Sequence, residues 1–484
     1  MANRRLFIAG VLMLCMVLPA VAELSQVEVG GQLRIRGNYI SNMIAMPAPL
    51  VHYGPLSTLR RPIGGPFAPV VGSIVDWDNS GNDYSAVEQR TRLHVKASFT
   101  EDVTAFIELD SYDIWGEDFR SNYLTGADGR ANTGDDVELF QAYIDAKNLW
   151  GTPLSLRVGR QELAFGSQWL VGTRDFAFLI TGISFDALRL TYTGESFSVD
   201  AWAAKLQETI GDFGEDDVDF YGVYASCTAV EGHTFDAYWM LLNDDTVAKA
   251  DTHLNTVGVR GAGHFGALDY DAEVAYQFGS ADAYGFLAGD RSADFDNFGA
   301  KLDVGYAIDT VWTPRVFVSG RYYGGEDNRD ISFVDWVNPW YRPNASVNFN
   351  RLFSNEIAAG FVDLLNDLSN AWFGRVGVMF APFEKVRSIL AVTYFESLEE
   401  FDRPVMPVFT WWTRSNDKDL GWELTFFHEY HYSEDLVFEF GWDHLFTGDG
   451  LAQGNYSAWN GTILNGGSDD DDADYVYAGC RINF

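Results

Sequence analysis

The sequence predicts a transmembrane, antiparallel, up-and-down β-barrel of about 18 strands, with short periplasmic turns and long extracellular loops. Three observations predict it. Apolar and polar residues alternate over segments of about ten residues, as they do where lipid wets one face of a strand and water the other. The connections between those segments are short and long by turns. The chain opens on a secretory pattern and stops on an aromatic residue at the end of an alternating segment.

At the amino terminus, Arg4 and Arg5 precede an apolar run from Leu6 to Leu18, then Pro19 and the small-residue site Ala20-Val21-Ala22. This is the three-part signal peptide, expected over residues 1–22 and removed after Ala22. The run is too short for a permanent membrane helix, and Leu14 before Cys15 makes that cysteine a poor lipid-attachment site. Beyond residue 23 no apolar run is long enough to cross as a helix. Residues 23–484 are therefore expected to form the barrel.

The first strand shows the alternation plainly. Val27, Val29, Leu33 and Ile35 fall on one face and Glu28, Gln32, Arg34 and Arg36 on the other. In the second, Thr91, Leu93, Val95, Ala97 and Phe99 oppose Arg90, Arg92, His94 and Lys96. The same template places strands near 26–37, 87–99, 103–112, 137–147, 154–160, 183–192, 196–204, 217–226 and 233–241. A second set follows near 253–262, 267–278, 296–307, 313–323, 371–381, 386–396, 419–431, 435–444 and 474–484.

Short connections follow even-numbered strands. Long ones follow odd-numbered strands and include 38–86, 113–136, 161–182, 324–370, 397–418 and 445–473. This sidedness puts both termini in the periplasm. In the loop 324–370, Ile357, Phe361, Leu364, Leu365 and Leu368 have helical spacing behind Ser354, a candidate N-cap. The chain ends Tyr477-Ala-Gly479-Cys-Arg-Ile482-Asn-Phe484, which resembles the signal read by the barrel-assembly machinery.

Composition agrees with a barrel: 15% of residues are aromatic, and there are 47 glycines but 14 prolines and 3 cysteines. A net charge of −36 makes nucleic acid an improbable partner. Partners consistent with a barrel are outer-membrane lipid, lipopolysaccharide and a polar or anionic solute. Oligomeric state is not readable. Of Cys227 and Cys480, the second falls at a lipid-facing position, so free thiols are expected rather than a disulfide.

The stretch Gly159-Arg-Gln-Glu-Leu-Ala-Phe-Gly166-Ser-Gln-Trp-Leu-Val-Gly172, continuing to Phe185-Asp-Ala-Leu-Arg189-Leu, resembles the signature of the alginate-export family of outer-membrane porins. A second stretch, Phe349-Asn-Arg-Leu-Phe353 followed by Gly360-Phe-Val-Asp-Leu, is similar to the same family. The likeness is strong over residues 87–205 and weaker beyond. It implies an 18-stranded porin, and its known members include a barrel that releases an anionic uronate polysaccharide through an arginine-rich pore.

Inward charge is the working surface of a wet pore, because a confined field selects ions. The basic candidates are Arg34, Arg36, Arg90, Arg92, His94, Lys96, Arg157, Arg189, Arg315, Arg321 and Arg375. Facing acids include Glu108, Asp110, Asp145, Asp200, Asp269, Asp271, Glu273, Asp303 and Glu423. A turn near residue 101 would set Arg92 against Glu108 and Arg90 against Asp110, neutralising both. Arg34 and Arg36 have no carboxylate expected directly opposite them on the second strand, which leaves them for solute contact.

Glycines 159, 166 and 172 allow the chain after the fifth strand to turn into the lumen, so the loop 161–182 is expected to fold inward. Arg160, Gln161, Gln168 and Arg174 would then offer donors to a polyol or carboxylate, unless Arg160 and Gln161 are spent on backbone at the bend. Asp76-x-Asp78-x-Ser80-Gly81 resembles the opening of a calcium loop, but Val87 stands where the closing Glu belongs; Asp128, Asp135 and Asp136 are further oxygen donors. No cofactor is required, and calcium in the outer loops is the one metal the sequence suggests.

No Ser/His/acid constellation is convincing, and His428 and His431 fall on opposite faces of one strand. A channel for polar solutes, saccharides or carboxylated compounds, is the leading reading. A surface-exposed, calcium- or partner-binding barrel with a blocked lumen is the alternative.

Overall fold

The computed structural model describes residues 24–41, 84–116, 137–175, 181–208, 217–245, 252–281, 293–325, 347–356, 369–399, 418–448 and 472–484. The amino-terminal segment 1–22, Asp76, Asp78, Ser80, Asp128, Asp135, Asp136 and the helix expected behind Ser354 lie outside them.

The strands are β1 Gln26–Ile40, β2 Tyr84–Ser98, β3 Val103–Ile114, β4 Glu138–Ala146, β5 Leu154–Gln161, β6 Phe185–Thr193, β7 Phe197–Gln207, β8 Val218–Cys227 and β9 His233–Asp244. They continue as β10 Thr252–Phe265, β11 Leu268–Ala281, β12 Ala293–Ala307, β13 Arg315–Tyr323, β14 Ala371–Phe380, β15 Val386–Ser397, β16 Asp419–His431, β17 Leu436–Thr447 and β18 Ala473–Asn483. Each pairs antiparallel with its sequence neighbours, and β1 pairs with β18, so the 18-stranded sheet closes on itself. Closure satisfies every ladder and leaves no edge, which a strand in hydrocarbon cannot tolerate. No helix among the described residues is long and apolar enough to cross a membrane.

Alternation decides which side chains meet lipid. Leu93 and Val95 on β2, Ile107 and Leu109 on β3, Val259 on β10 and Val274 on β11 are exposed although apolar. Aromatic residues gather at the ends, among them Trp115, Trp150, Phe265, Trp312 and Tyr432, where amphipathic rings suit the headgroup level. The core lies inside the barrel and is built on Phe185, Phe220, Tyr323 and Phe373 from the strands, with Trp169 and Phe349 from loops. Cys227 and Cys480 are both free thiols.

Two expected registers are corrected. Between β2 and β3, Arg92 faces Asp110, His94 faces Glu108 and Arg90 faces Tyr112, two residues from the expected pairing. The cause is the turn: the Thr100 hydroxyl accepts the N–H groups of Asp102 and Val103, which moves the hairpin centre along the chain. Between β1 and β2, Glu88 stands directly opposite Arg36, and Arg34 stands opposite Arg90. No tight turn joins these strands, so nothing local in the sequence could fix their register.

Candidate functional site

The segment after β5 crosses the lumen. Phe165 stacks on Trp202 of β7 and Tyr224 of β8, with ring centroids 4.5 and 5.2 Å apart. The Ser167 hydroxyl donates to Glu273 of β11, and Trp169 Nε1 donates to the Tyr323 hydroxyl of β13 at 3.0 Å. Asp175 then reaches Arg90 and Arg92 on β2. A segment touching walls this far apart runs through the inside.

Local sequence dictates this path. Gly166 has φ +55, and a Cβ there would stand 2.4 Å from the Tyr224 hydroxyl. Gly172 serves close approach instead: its Cβ would lie 2.6 Å from that of Asn355, on a second inward segment. The two segments join by a parallel bridge between Val171 and Phe353, with Phe353 N–H donating to Leu170 O at 2.8 Å and Gly172 N–H to Phe353 O at 2.9 Å. Trp169 and Phe349, ring centroids 5.9 Å apart, pack beneath that bridge.

Four arginines line the wall beside Asp175, and each has a carboxylate. Arg34 donates to Glu439 of β17 at 3.0 Å, Arg36 to Glu88 at 3.1 Å and Arg92 to Asp110 at 3.0 Å. Arg90 donates to Asp175 at 2.7 Å. The expectation that Arg34 and Arg36 stay clear of carboxylates is therefore corrected: Arg36 is paired across the strand and Arg34 reaches past β18. Burial makes pairing obligatory, since an uncompensated charge away from bulk water costs several kcal/mol.

Glu162, which joins β5 to the inward segment, lies 3.6 Å from Arg92. Burial and the neighbouring Asp175 push its carboxyl up to about 7, against the pull of Arg92.

The opposite wall carries a second network. Arg260 bridges Asp236 and Asp271, at 2.7 and 2.8 Å. Lys301 lies between Asp271 and Asp303, and Arg321 binds Asp303 with both terminal nitrogens at 3.0 Å. Glu356 of the second inward segment also binds Arg321. A third group pairs Arg157 with Asp145 and Arg189 with Asp200. Towards the short-turn end His94, Phe106 and Tyr143 stack across β2, β3 and β4, with Arg157 over the Tyr143 ring. There the lumen opens into a cavity of about 600 Å³ whose lining includes Glu28, Lys96, Lys147 and Arg157.

The remaining expected residues divide. Lys96 pairs with Glu28 at this mouth. Arg375 lies over the Phe317 ring. Gln161 is wholly buried and donates to the carbonyls of Gly159 and Ala187, so it serves the backbone. The Gln168 side-chain oxygen accepts from Thr173 and Asn355, pinning the two inward segments together rather than facing a solute. Arg174, at φ +54, sits half-buried beside Asp175.

Arg160 is corrected outright. β5 runs on to Gln161, so alternation turns Arg160 outward, where it pairs with Asp186 on β6. Among the described residues no cluster suited to a metal occurs.

Sequence reasoning missed Asp175, Glu162, Glu356, Glu88, Glu439, Arg260 and Lys301. Strand alternation marks Glu88, Glu439, Arg260 and Lys301 as inward. Asp175, Glu162 and Glu356 sit in aperiodic loops and carry no such mark.

The model of the family described as alginate export matches residues 78–463 of the chain. Comparison with curated proteins gives no significant match. Among solved structures, the Acinetobacter baumannii barrel OccAB2 is similar at a TM-score of 0.50 and 11% identity, over 94% of this chain and 98% of that one. OccAB3 from the same organism gives 0.50 and 10%, over 94% and 100%. At such identity the likeness is one of fold.

Proposed function

This chain belongs to the alginate-export family, and from that premise we propose that its outer-membrane barrel gives passive passage to polar solutes, saccharides and carboxylated compounds of the uronate class. The observation that carries the reading is the arginine wall of β1 and β2 facing the inward segment. Guanidinium groups bind carboxylates in matched geometry, and a confined low-dielectric setting strengthens the attraction. The first inward segment reaches that wall through Asp175 and is bridged to the second, so a solute in the narrowed lumen would pass close to the arginines.

We further propose that both termini lie in the periplasm and that residues 1–22 are removed on export; in support, the β1 start and the β18 end share the end that bears the short connections. The lipid-facing surface meets outer-membrane lipid and lipopolysaccharide, and the terminal strand with Phe484 is what the assembly machinery would read.

Reconstitution of the purified full-length barrel tests the function. We expect ion conductance in a planar bilayer and glucuronate entry into proteoliposomes. Correctly folded protein that carries no current and admits no glucuronate would overturn the reading.

A further inference from the structure

The cavity at the short-turn end has a chemistry of its own, and two transverse rows of inward side chains build it. Glu28, Lys96, Phe106 and Tyr143 stand opposite one another from β1 to β4. Ser98, Thr104, Asp145 and Arg157 form the next row towards the turns, from β2 to β5.

Phe106 is out of place on a polar wall. Its ring has no polar atom, yet it lines the cavity at half burial and belongs to neither apolar core cluster of the described residues. Water against such a ring is unfavourable in proportion to the apolar area exposed. The Tyr143 ring stacks beside it, with centroids 5.2 Å apart, and lengthens the apolar strip.

Around that strip the polar groups suit hydroxyls better than charge. Lys96, Lys147 and Arg157 are matched by Glu28, Glu101 and Asp145, so the lining carries three charges of each sign and none net. Glu28 holds Lys96 at 3.3 Å and Asp145 holds Arg157 at 2.9 Å. The hydroxyls of Ser98, Thr104 and Tyr143, in contrast, make no side-chain hydrogen bond among the described residues. A pyranose is the complement of this lining, with a flat face of C–H groups and a rim of hydroxyls. The volume of about 600 Å³ falls within the range of small-molecule sites.

We propose that the chamber at the short-turn mouth is a binding site for an uncharged pyranose unit, whose C–H face packs on Phe106 and Tyr143 while its hydroxyls bond Ser98, Thr104 and the paired charges. This deepens the proposed function and rests on it for the saccharide class of solute. Charge balance gives a carboxylate no advantage in the chamber, so recognition there rests on ring shape and hydroxyls. The mouth and the arginine wall thus read different features of a solute.

Calorimetric titration of the detergent-solubilised full-length barrel tests the site without need of conduction, with maltose, glucose and sodium glucuronate as probes. Maltose should bind, and glucuronate should bind no tighter than glucose. Phe106→Ala should weaken maltose binding about tenfold, the equivalent of about 1.4 kcal/mol. Tyr143→Phe keeps the ring, removes one hydroxyl and should weaken it about threefold. In planar bilayers maltose should block the current more strongly from one side than from the other, and Phe106→Ala should remove that sidedness. Folded wild-type protein that binds no maltose would overturn the proposal. Wild-type affinity in folded Phe106→Ala and Tyr143→Phe would also overturn it, as would glucuronate binding tenfold tighter than glucose, because charge would then govern the chamber. A barrel that binds maltose with these variant effects but carries no current and admits no glucuronate would uphold the site and strike at the proposed function instead.

Discussion

At the scale of single residues, most of the buried charges described in the lumen have a partner of opposite sign, while Arg351 lies over the Tyr323 ring instead. Arg36 and Glu88 illustrate such pairing, with Arg36 Nε and Nη2 both donating to Glu88 Oε2 and the Tyr112 hydroxyl donating to Oε1. Neither side chain has appreciable exposure. Arg36→Gln leaves the Glu88 carboxylate stranded and should cost about 3 kcal/mol, whereas combining it with Glu88→Gln should restore most of the loss. Urea unfolding in lipid vesicles measures both, and equal midpoints for single and double variants would show the pair to be idle. Glu162 adds a pH dependence. Its carboxyl is raised to about 7, so it is neutral below that pH and charged above it. As the pH falls through about 7 the constriction gains one unit of positive charge, and reversal potentials should move towards anion preference. Glu162→Gln should hold the acidic value throughout, so a variant retaining the wild-type slope would assign that slope to another group.

At the scale of elements, period-two alternation governs, and its reach explains what could be read in advance. β16 covers residues 419–431, as the pattern indicated, because one face meets lipid and the other a wet interior along its whole length. Leu93 on β2 lies on the lipid side, flanked across the sheet by Gly31 and Leu109. Leu93→Arg should therefore cost roughly 2–4 kcal/mol, measured as a lower urea midpoint in vesicles. An unchanged midpoint would mean that this position escapes the hydrocarbon. Alternation says nothing about how far one strand slides along the next. The β2–β3 offset came from a hydroxyl in the turn, and the β1–β2 offset from pairing across a long loop, so the partners of Arg34, Arg36, Arg90 and Arg92 were not legible. The inward segments follow no period at all. Gly166 and Gly172 announced a bend, but the destinations of Ser167, Trp169 and Asp175 depend on strands distant in sequence.

At the scale of the whole molecule, the barrel depends on one seam between its first and last strands. β1 and β18 pair from Gln32 with Asn483 to Ile40 with Tyr475. Phe484 carries the seam one residue further: its N–H donates to Gly31 O at 3.0 Å, and its carbonyl oxygen accepts the Gly31 N–H at 2.8 Å. Its ring covers Gly31, where a Cβ would stand 2.7 Å from the Phe484 Cζ. Neighbouring seams are each joined by a covalent connection, whereas this one is held only by pairing between chain ends, and the entropy of bringing those ends together must be recovered from it. Removing Phe484 opens two backbone groups of Gly31 at the short-turn end of the barrel and uncovers that glycine. Deletion of Phe484 should therefore lower the folded fraction after insertion into vesicles, read as loss of the heat-sensitive, fast-migrating band on a gel. Phe484→Tyr keeps both backbone bonds and the ring, and should fold close to the wild type. A deletion variant that folds to the wild-type yield would show that the seam closes without its last pair, and the contribution of Phe484 would then lie outside the barrel.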